Sequence, residues 1–204
     1  MSTAAFAQHT EWETLLRAWS ELDVPEGWRA EIFDGGIHLS PAPDNDHNII
    51  AARILRALSR ELPDDWYLFQ TSGATIERIK RLHIPDLLVI PRSAVQPGGT
   101  TVTAADILLA VEITSKSNAN HDRKTKLWSY AHAPIPLYLL IDCFDPDGPH
   151  STLFSDPTDG KYRHASRIPF GESIALPEPF DIEIDTTDFP TNTSAPRTRR
   201  DPTR

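Results

Sequence analysis

The sequence predicts a mixed α/β fold, and three observations predict it. Leu87–Ile90, Ile107–Val111 and Leu137–Ile141 are continuous apolar runs, the composition of central strands covered on both faces. Segments with apolar residues at helical spacing precede and separate these runs. A stretch around Asp34-Gly35-Gly36 alternates apolar and polar residues on either side of a turn signal, which is the pattern of a hairpin. The resulting order is helix, hairpin, helix, strands, helix, strand, hairpin. It belongs to the α/β or α+β class, a central mixed sheet flanked by helices.

Each element has its own justification. Glu11 to Leu22 places Trp12, Leu15, Leu16, Trp19 and Leu22 on one helix face. Trp28 to Ser40 is the hairpin, with Arg29–Phe33 going out and Ile37–Leu39 returning. A second helix starts at Asp44 to Asp46, where carboxylates suit an N-cap, and runs to about Leu62. It buries Ile50, Ile54, Ala57 and Leu58 and turns Arg53, Arg56 and Arg60 to solvent. Trp66–Thr71 and Ala74–Ile79 are expected strands hinged at Ser72-Gly73, and Pro91–Thr103 is an expected loop. Asn118 or Asn120 caps a third helix that runs through about Ala131. Beyond Asp145 the turns at Gly148, Gly160 and Gly171 separate short strands at 151–155, 161–164 and 180–184.

Composition limits the function classes. With 204 residues and 39% hydrophobic content, residues 1–190 are expected to form one domain. Residues 191–204 lack apolar content, carry four arginines, and are expected to be a disordered basic tail. One cysteine, Cys143, excludes an intramolecular disulfide framework and a multi-cysteine zinc site. The N-terminus lacks the basic and apolar regions of a secretory signal, and no apolar run could cross a bilayer, so a cytoplasmic protein is expected. The net charge of -9 opposes nonspecific nucleic-acid binding. The charge is uneven, however: residues 76–130 hold eight Lys/Arg against five acids.

That positive stretch also holds the candidate chemistry. Asp86 opens one apolar strand and Glu112 closes another, 26 residues later. An acid within Leu109–Ile113 is costly to bury unless it binds something. Two carboxylates converging from strand ends, followed by a lysine-bearing helix, suit a Mg²⁺ ion, with Mn²⁺ as a substitute, at a site for phosphodiester hydrolysis. Glu31 alternates with Phe33 and could reach the same cleft. His47, at a helix N-terminus, could donate to a phosphate. Trp12, Trp19 and Trp28 read as core residues, and His121, His132, His150 and His164 lack ligand spacing. The chain carries no nucleophile elbow, no phosphate-binding Gly-Lys-Ser/Thr loop and no His-Glu-x-x-His helix.

Ile84-Pro85-Asp86, then Val111–Ser115, then Asp122, Lys126 and Tyr130 in order, resemble the Uma-type restriction endonuclease family. That family is a branch of the PD-(D/E)xK nuclease superfamily. The resemblance extends to Glu31–Gly35, His47 and Ala133–Asp142, covering roughly residues 28–185. It implies a restriction-endonuclease-like fold, Mg²⁺-dependent cleavage of DNA and a homodimer. It also implies metal binding by Asp86 and Glu112 and assistance from Glu31 and His47. The superfamily's lysine, two residues after the glutamate, is Thr114 here. Lys126 is the expected replacement because it shares a helix face with Asp122 and Tyr130; Lys116 and Lys124 are the alternatives. A nuclease-like binding module without turnover, or a hydrolase of another phosphoester, are the competing readings.

Overall fold

The computed structural model describes residues 3–116 and 118–191. Helix α1 (Thr3–Ser20) leads into the hairpin β1 (Arg29–Phe33) and β2 (Gly36–Ser40). The turn is tight because Asp34 and Gly35 both take positive φ, 50° and 75°, as a two-residue type I′ hairpin requires. Helix α2 (Asn45–Glu61) is capped by Asp44, whose carboxylate accepts the His47 backbone N–H. It buries Ile50, Ala51, Ile54 and Leu58, with Ala57 half-buried and the three arginines exposed.

Strands β3 (Trp66–Gln70) and β4 (Gly73–Ile76) follow the expected hinge. The chain departs from expectation at Glu77–Ile79, which form a 3₁₀ turn instead of extending the strand. Lys80 at φ 55° then reverses the chain into β5 (Arg81–His83). Strand β6 (Leu87–Pro91) is as expected. The expected loop contains a short strand, β7 (Thr101–Thr103), which gains its partner from β4. Strand β8 (Leu109–Ile113) precedes residues 119–132, the crossover to β9 (Leu137–Asp142). That crossover is π-helical over His121–Lys126 before it becomes the α-helix α3 (Leu127–His132). The C-terminal hairpin, β10 (His150–Thr158) and β11 (Lys161–Pro169), is longer than expected, and β12 (Ile174–Leu176) pairs with β13 (Ile182–Ile184). The expected tail lies outside the described residues beyond Thr191.

The strands form a six-stranded sheet in the order β11-β10-β9-β8-β6-β3 and a five-stranded sheet in the order β2-β1-β5-β4-β7. Within the larger sheet only β8 and β9 run parallel, joined by the helical crossover. Its central strands are buried along their length, so alternate residues feed two cores. Leu87, Val89, Val111 and Leu139 pack with α2 and with β13 on one side. Leu88, Ile90, Ala110 and Tyr138 pack with Tyr130 and with β4 and β7 on the other. Helix α1 covers β1 and β5 through Trp12, Ile32 and Leu82. Among the described residues no helix is long and apolar enough to cross a membrane.

The architecture is the expected mixed α/β fold. Its two sheets meet where β5 leads into β6. That junction, Ile84-Pro85-Asp86, sets the position of the first carboxylate.

Candidate metal centre

The antiparallel register that sets Leu87 against Val111 leaves Asp86 and Glu112 as the next residues outward on neighbouring strands. Both are buried. Asp86 is held from three directions. Its Oδ1 accepts from Arg29 at 2.5 Å, while Oδ2 accepts from the Ile113 backbone N–H at 2.8 Å and lies 3.0 Å from His47 Nε2. Burial opposes the charge on this carboxyl, but His47, Arg29 and Lys126 outweigh it and hold its pKa below the ordinary range.

Glu112 has different company. Its Oε1 accepts from the Tyr130 hydroxyl at 2.6 Å, and its Oε2 lies 2.9 Å from Lys126 Nζ. The same ammonium is 3.1 Å from Glu31 and 3.6 Å from Asp122. Three buried carboxylates therefore share one lysine. Lys126 is itself 3% exposed, so its pair with Asp122 is an interior feature and not a surface one. Its pKa is pushed well up, because the surrounding carboxylates outweigh burial.

The acids respond unequally to this shortage. Burial would raise Glu31, but Lys126, His121 and His83 hold it well below its usual range; the Ile84 backbone N–H also donates to it at 2.6 Å. Glu112 is raised well above the usual range by burial, which Lys126 only partly offsets. Burial also pushes Asp122 up to about 7. Both Asp122 oxygens are buried without a hydrogen-bond partner.

Four carboxylates (Glu31, Asp86, Glu112, Asp122) thus face two cationic side chains, Arg29 and Lys126. Ionising all four leaves two negative charges uncompensated in a dry site, a costly arrangement. Hard oxygen donors, orphaned carboxylate oxygens and a two-charge deficit together fit a divalent cation such as Mg²⁺. Asp86 and Glu112 could hold it, with Asp122 nearby.

The five residues singled out by sequence fall in two adjoining groups, joined where the Ile113 backbone N–H, next to Glu112, donates to Asp86. Asp86 contacts His47, Glu112 contacts Lys126, and Lys126 contacts Glu31. The alternative lysines lie elsewhere: Lys116 is exposed in a turn and lines a cleft of about 340 Å³ with Asp86 and His47, and Lys124 is exposed on the far side of the crossover helix. Thr114, at the superfamily's lysine position, is buried. Its hydroxyl donates to Asp142, which also pairs with Arg123, and accepts from the Cys143 backbone. A lysine there would have to displace that network.

Two sequence expectations need correction. Trp28 is 44% exposed and is not a core residue; with Trp19, Arg29 and Asp86 it lines a cleft of about 610 Å³. Its ring stands at the entry to the hairpin, just before β1. His121 does belong to a cluster, with Glu31 and His83. Three separate elements supply these residues, so no spacing within one segment could reveal it. Sequence reasoning also missed Arg29 as the partner of Asp86, because the contact spans 57 positions and follows from the hairpin's placement alone.

Comparison with known proteins agrees with this architecture and with a restriction-endonuclease-like fold. A solved structure from Anabaena variabilis, described as a putative nuclease belonging to DUF820, is similar at a TM-score of 0.64 and 15% identity; the match covers 80% of this chain and 89% of that one. Comparison with curated proteins finds no match. The sequence profile of the Uma2 family, described as "Putative restriction endonuclease", matches residues 12–187. The chain belongs to the Uma2 family.

Proposed function

We propose that the protein is a Mg²⁺-dependent endonuclease that hydrolyses phosphodiester bonds in DNA, acting at Asp86 and Glu112. The observation that carries this reading is the surplus of buried carboxylates around Lys126, which a divalent cation would balance. A bound Mg²⁺ supplies an acidified water and neutralises charge on the phosphate. The chain's own groups do the rest. Asp86 is oriented by His47 and Arg29, making His47 a positioning residue. Lys126 stands against Glu112, where its ammonium can orient the attacking water or stabilise the developing negative charge. Glu31 holds that lysine from the opposite side.

Clefts that open on Arg29 and Asp86 give a strand access to the network. Lys116 on one rim can meet a phosphate, and the exposed face of Trp28 on the other can stack on a base. A homodimer, as in the expected assembly, would bring two such sites to one duplex. The test is nicking of supercoiled plasmid with Mg²⁺ or Mn²⁺. Wild-type protein should cut, chelator should stop it, and Asp86→Ala should lower the rate by about 10³ or more. No cleavage of DNA or RNA with either ion would overturn the reading.

One observation favours a second reading, a nuclease-like module that binds without turnover. Asp86 is already fully engaged by Arg29, His47 and a backbone N–H. Calorimetry with Mn²⁺ separates the two readings, because the module predicts no heat of binding and no effect of Glu112→Ala.

A further inference from the structure

We propose that Glu31, His83 and His121 form a second metal site, for a divalent transition ion of the Zn²⁺ type, beside the Asp86–Glu112 carboxylates. Glu31 on β1 stands across from His83 on β5, one step along from the Ile32–Leu82 pair. His121 opens the π-helical turn of the crossover. His83 Nδ1 lies 3.8 Å from Glu31 Oε1, and His121 Nε2 lies 3.5 Å from Glu31 Oε2. One donor atom from each of the three residues lies within 4.8 Å of the others. Donors around a tetrahedral Zn²⁺ stand about 3.3 Å apart, given bonds of about 2.0–2.2 Å, so small side-chain movements would close the site.

Hydrogen bonding at Ser129 fixes which His83 nitrogen is free. Ser129 Oγ donates to the Thr125 carbonyl at 2.7 Å. Arg81 Nη1, 2.9 Å away, can only donate to that oxygen. His83 Nε2, 3.0 Å from the same Oγ, must therefore carry the ring proton and donate as well. Nδ1 is left as a bare lone pair. It is buried, has no hydrogen-bond partner, and faces a carboxylate oxygen that also offers only lone pairs. His121 Nε2 is likewise buried and unpartnered, facing the other oxygen of the same carboxylate. A bare lone pair on His83 and an unpartnered ring nitrogen on His121, both facing one carboxylate, form a set of donors that a cation between them would satisfy. An imidazole whose far N–H is anchored to a hydroxyl is the usual arrangement of a histidine ligand.

The surroundings suit a bound ion. Phe33 packs on the His121 ring at a centroid distance of 4.2 Å and restrains its rotation. A cleft of about 300 Å³, lined by Glu31, Phe33, His38, His121 and Lys126, gives access and leaves room for water as a further ligand. Two imidazoles with one carboxylate favour Zn²⁺ or Fe²⁺ over Mg²⁺, which prefers an all-oxygen shell. Lys126 lies 3.1 Å from Glu31 Oε1, so occupancy here would bear directly on the ammonium that serves Glu112. The proposal stands apart from DNA cleavage, and its test does not depend on it.

Co²⁺, which reports its ligand field in visible absorption, is the probe. Titrated into the full chain in a large excess of Mg²⁺, which would fill the carboxylate site, Co²⁺ should still bind at one equivalent. His83→Ala and His121→Ala should each weaken binding by about tenfold or more. Glu112→Gln, which removes a carboxylate that supplies no ligand to this site and reaches it only through Lys126, should weaken binding far less than His121→Ala does. His83 is fully buried and its replacement tests the fold as well, so half-buried His121 is the decisive position. Absence of Co²⁺ binding, displacement by Mg²⁺, or binding that survives His121→Ala but is lost in Glu112→Gln would overturn the proposal.

Discussion

The two halves of the carboxylate network are built on opposite principles. Asp86 is over-supplied: a guanidinium, an imidazole and a backbone N–H converge on one carboxylate and keep it ionised. Around Lys126 the balance reverses, with Glu31, Glu112 and Asp122 dividing one ammonium, and burial drives Glu112 and Asp122 toward the protonated form. The Asp86 half is a finished ion pair. The Lys126 half is a deficit, and it is the half that gains most from a divalent cation.

Amide substitutions break or sharpen this comparison most directly. Asp86→Asn leaves Arg29 without its buried counter-charge and should cost about 3 kcal/mol, read from denaturant unfolding. Asp122→Asn should act in the opposite direction. A carboxyl raised to about 7 in the folded protein binds its proton more tightly there than in the unfolded chain. It therefore supports folding at low pH, and that support is lost as pH rises from about 4 to about 7. The asparagine removes this loss, so the variant should be more stable than wild type at pH 8, by on the order of 2 kcal/mol, and no more stable at pH 4. Equal losses in both variants would erase the distinction. Between these two lies Glu112→Gln, which should change stability by less than about 1 kcal/mol while removing a proposed metal ligand.

Metal affinity carries the same signature. Mn²⁺ must displace protons from the raised carboxyls, so its affinity should climb with pH through about 7, where Asp122 titrates, by at most about tenfold per pH unit for each proton displaced. Titration calorimetry at several pH values would show it; a flat profile from pH 5 to 8 would mean that neither Glu112 nor Asp122 takes part. The smallest expected effect is at the rim. Trp28→Ala should weaken DNA binding by about 1 kcal/mol, measured by fluorescence anisotropy, without altering Mn²⁺ affinity.

Much of this arrangement was legible in the sequence, for a physical reason. Leu87–Ile90 and Leu109–Val111 have a composition that only burial on both faces explains, and an acid at the end of such a strand must find a partner. Local chemistry likewise announced the Asp34-Gly35 turn and the Asp44 cap. What stayed hidden depends on how separate segments meet. Strand β5 is three residues long, and Lys80 starts it through a left-handed turn that its side chain does not advertise. Without β5, His83 cannot be placed opposite Glu31. The π-helical form of the turn at His121–Lys126 was not legible either, although the spacing that sets Asp122, Lys126 and Tyr130 on one face was. Arg29 reaches Asp86 only because the hairpin folds over the sheet junction.

A crystal structure of the protein with Mn²⁺, read by anomalous scattering, tests the central claim most directly. The account predicts a peak bound by Asp86 and Glu112, with Lys126 facing it. A peak confined to the Glu31–His83–His121 cluster, or no peak while Asp86 keeps its pairing with Arg29 and His47, would contradict it.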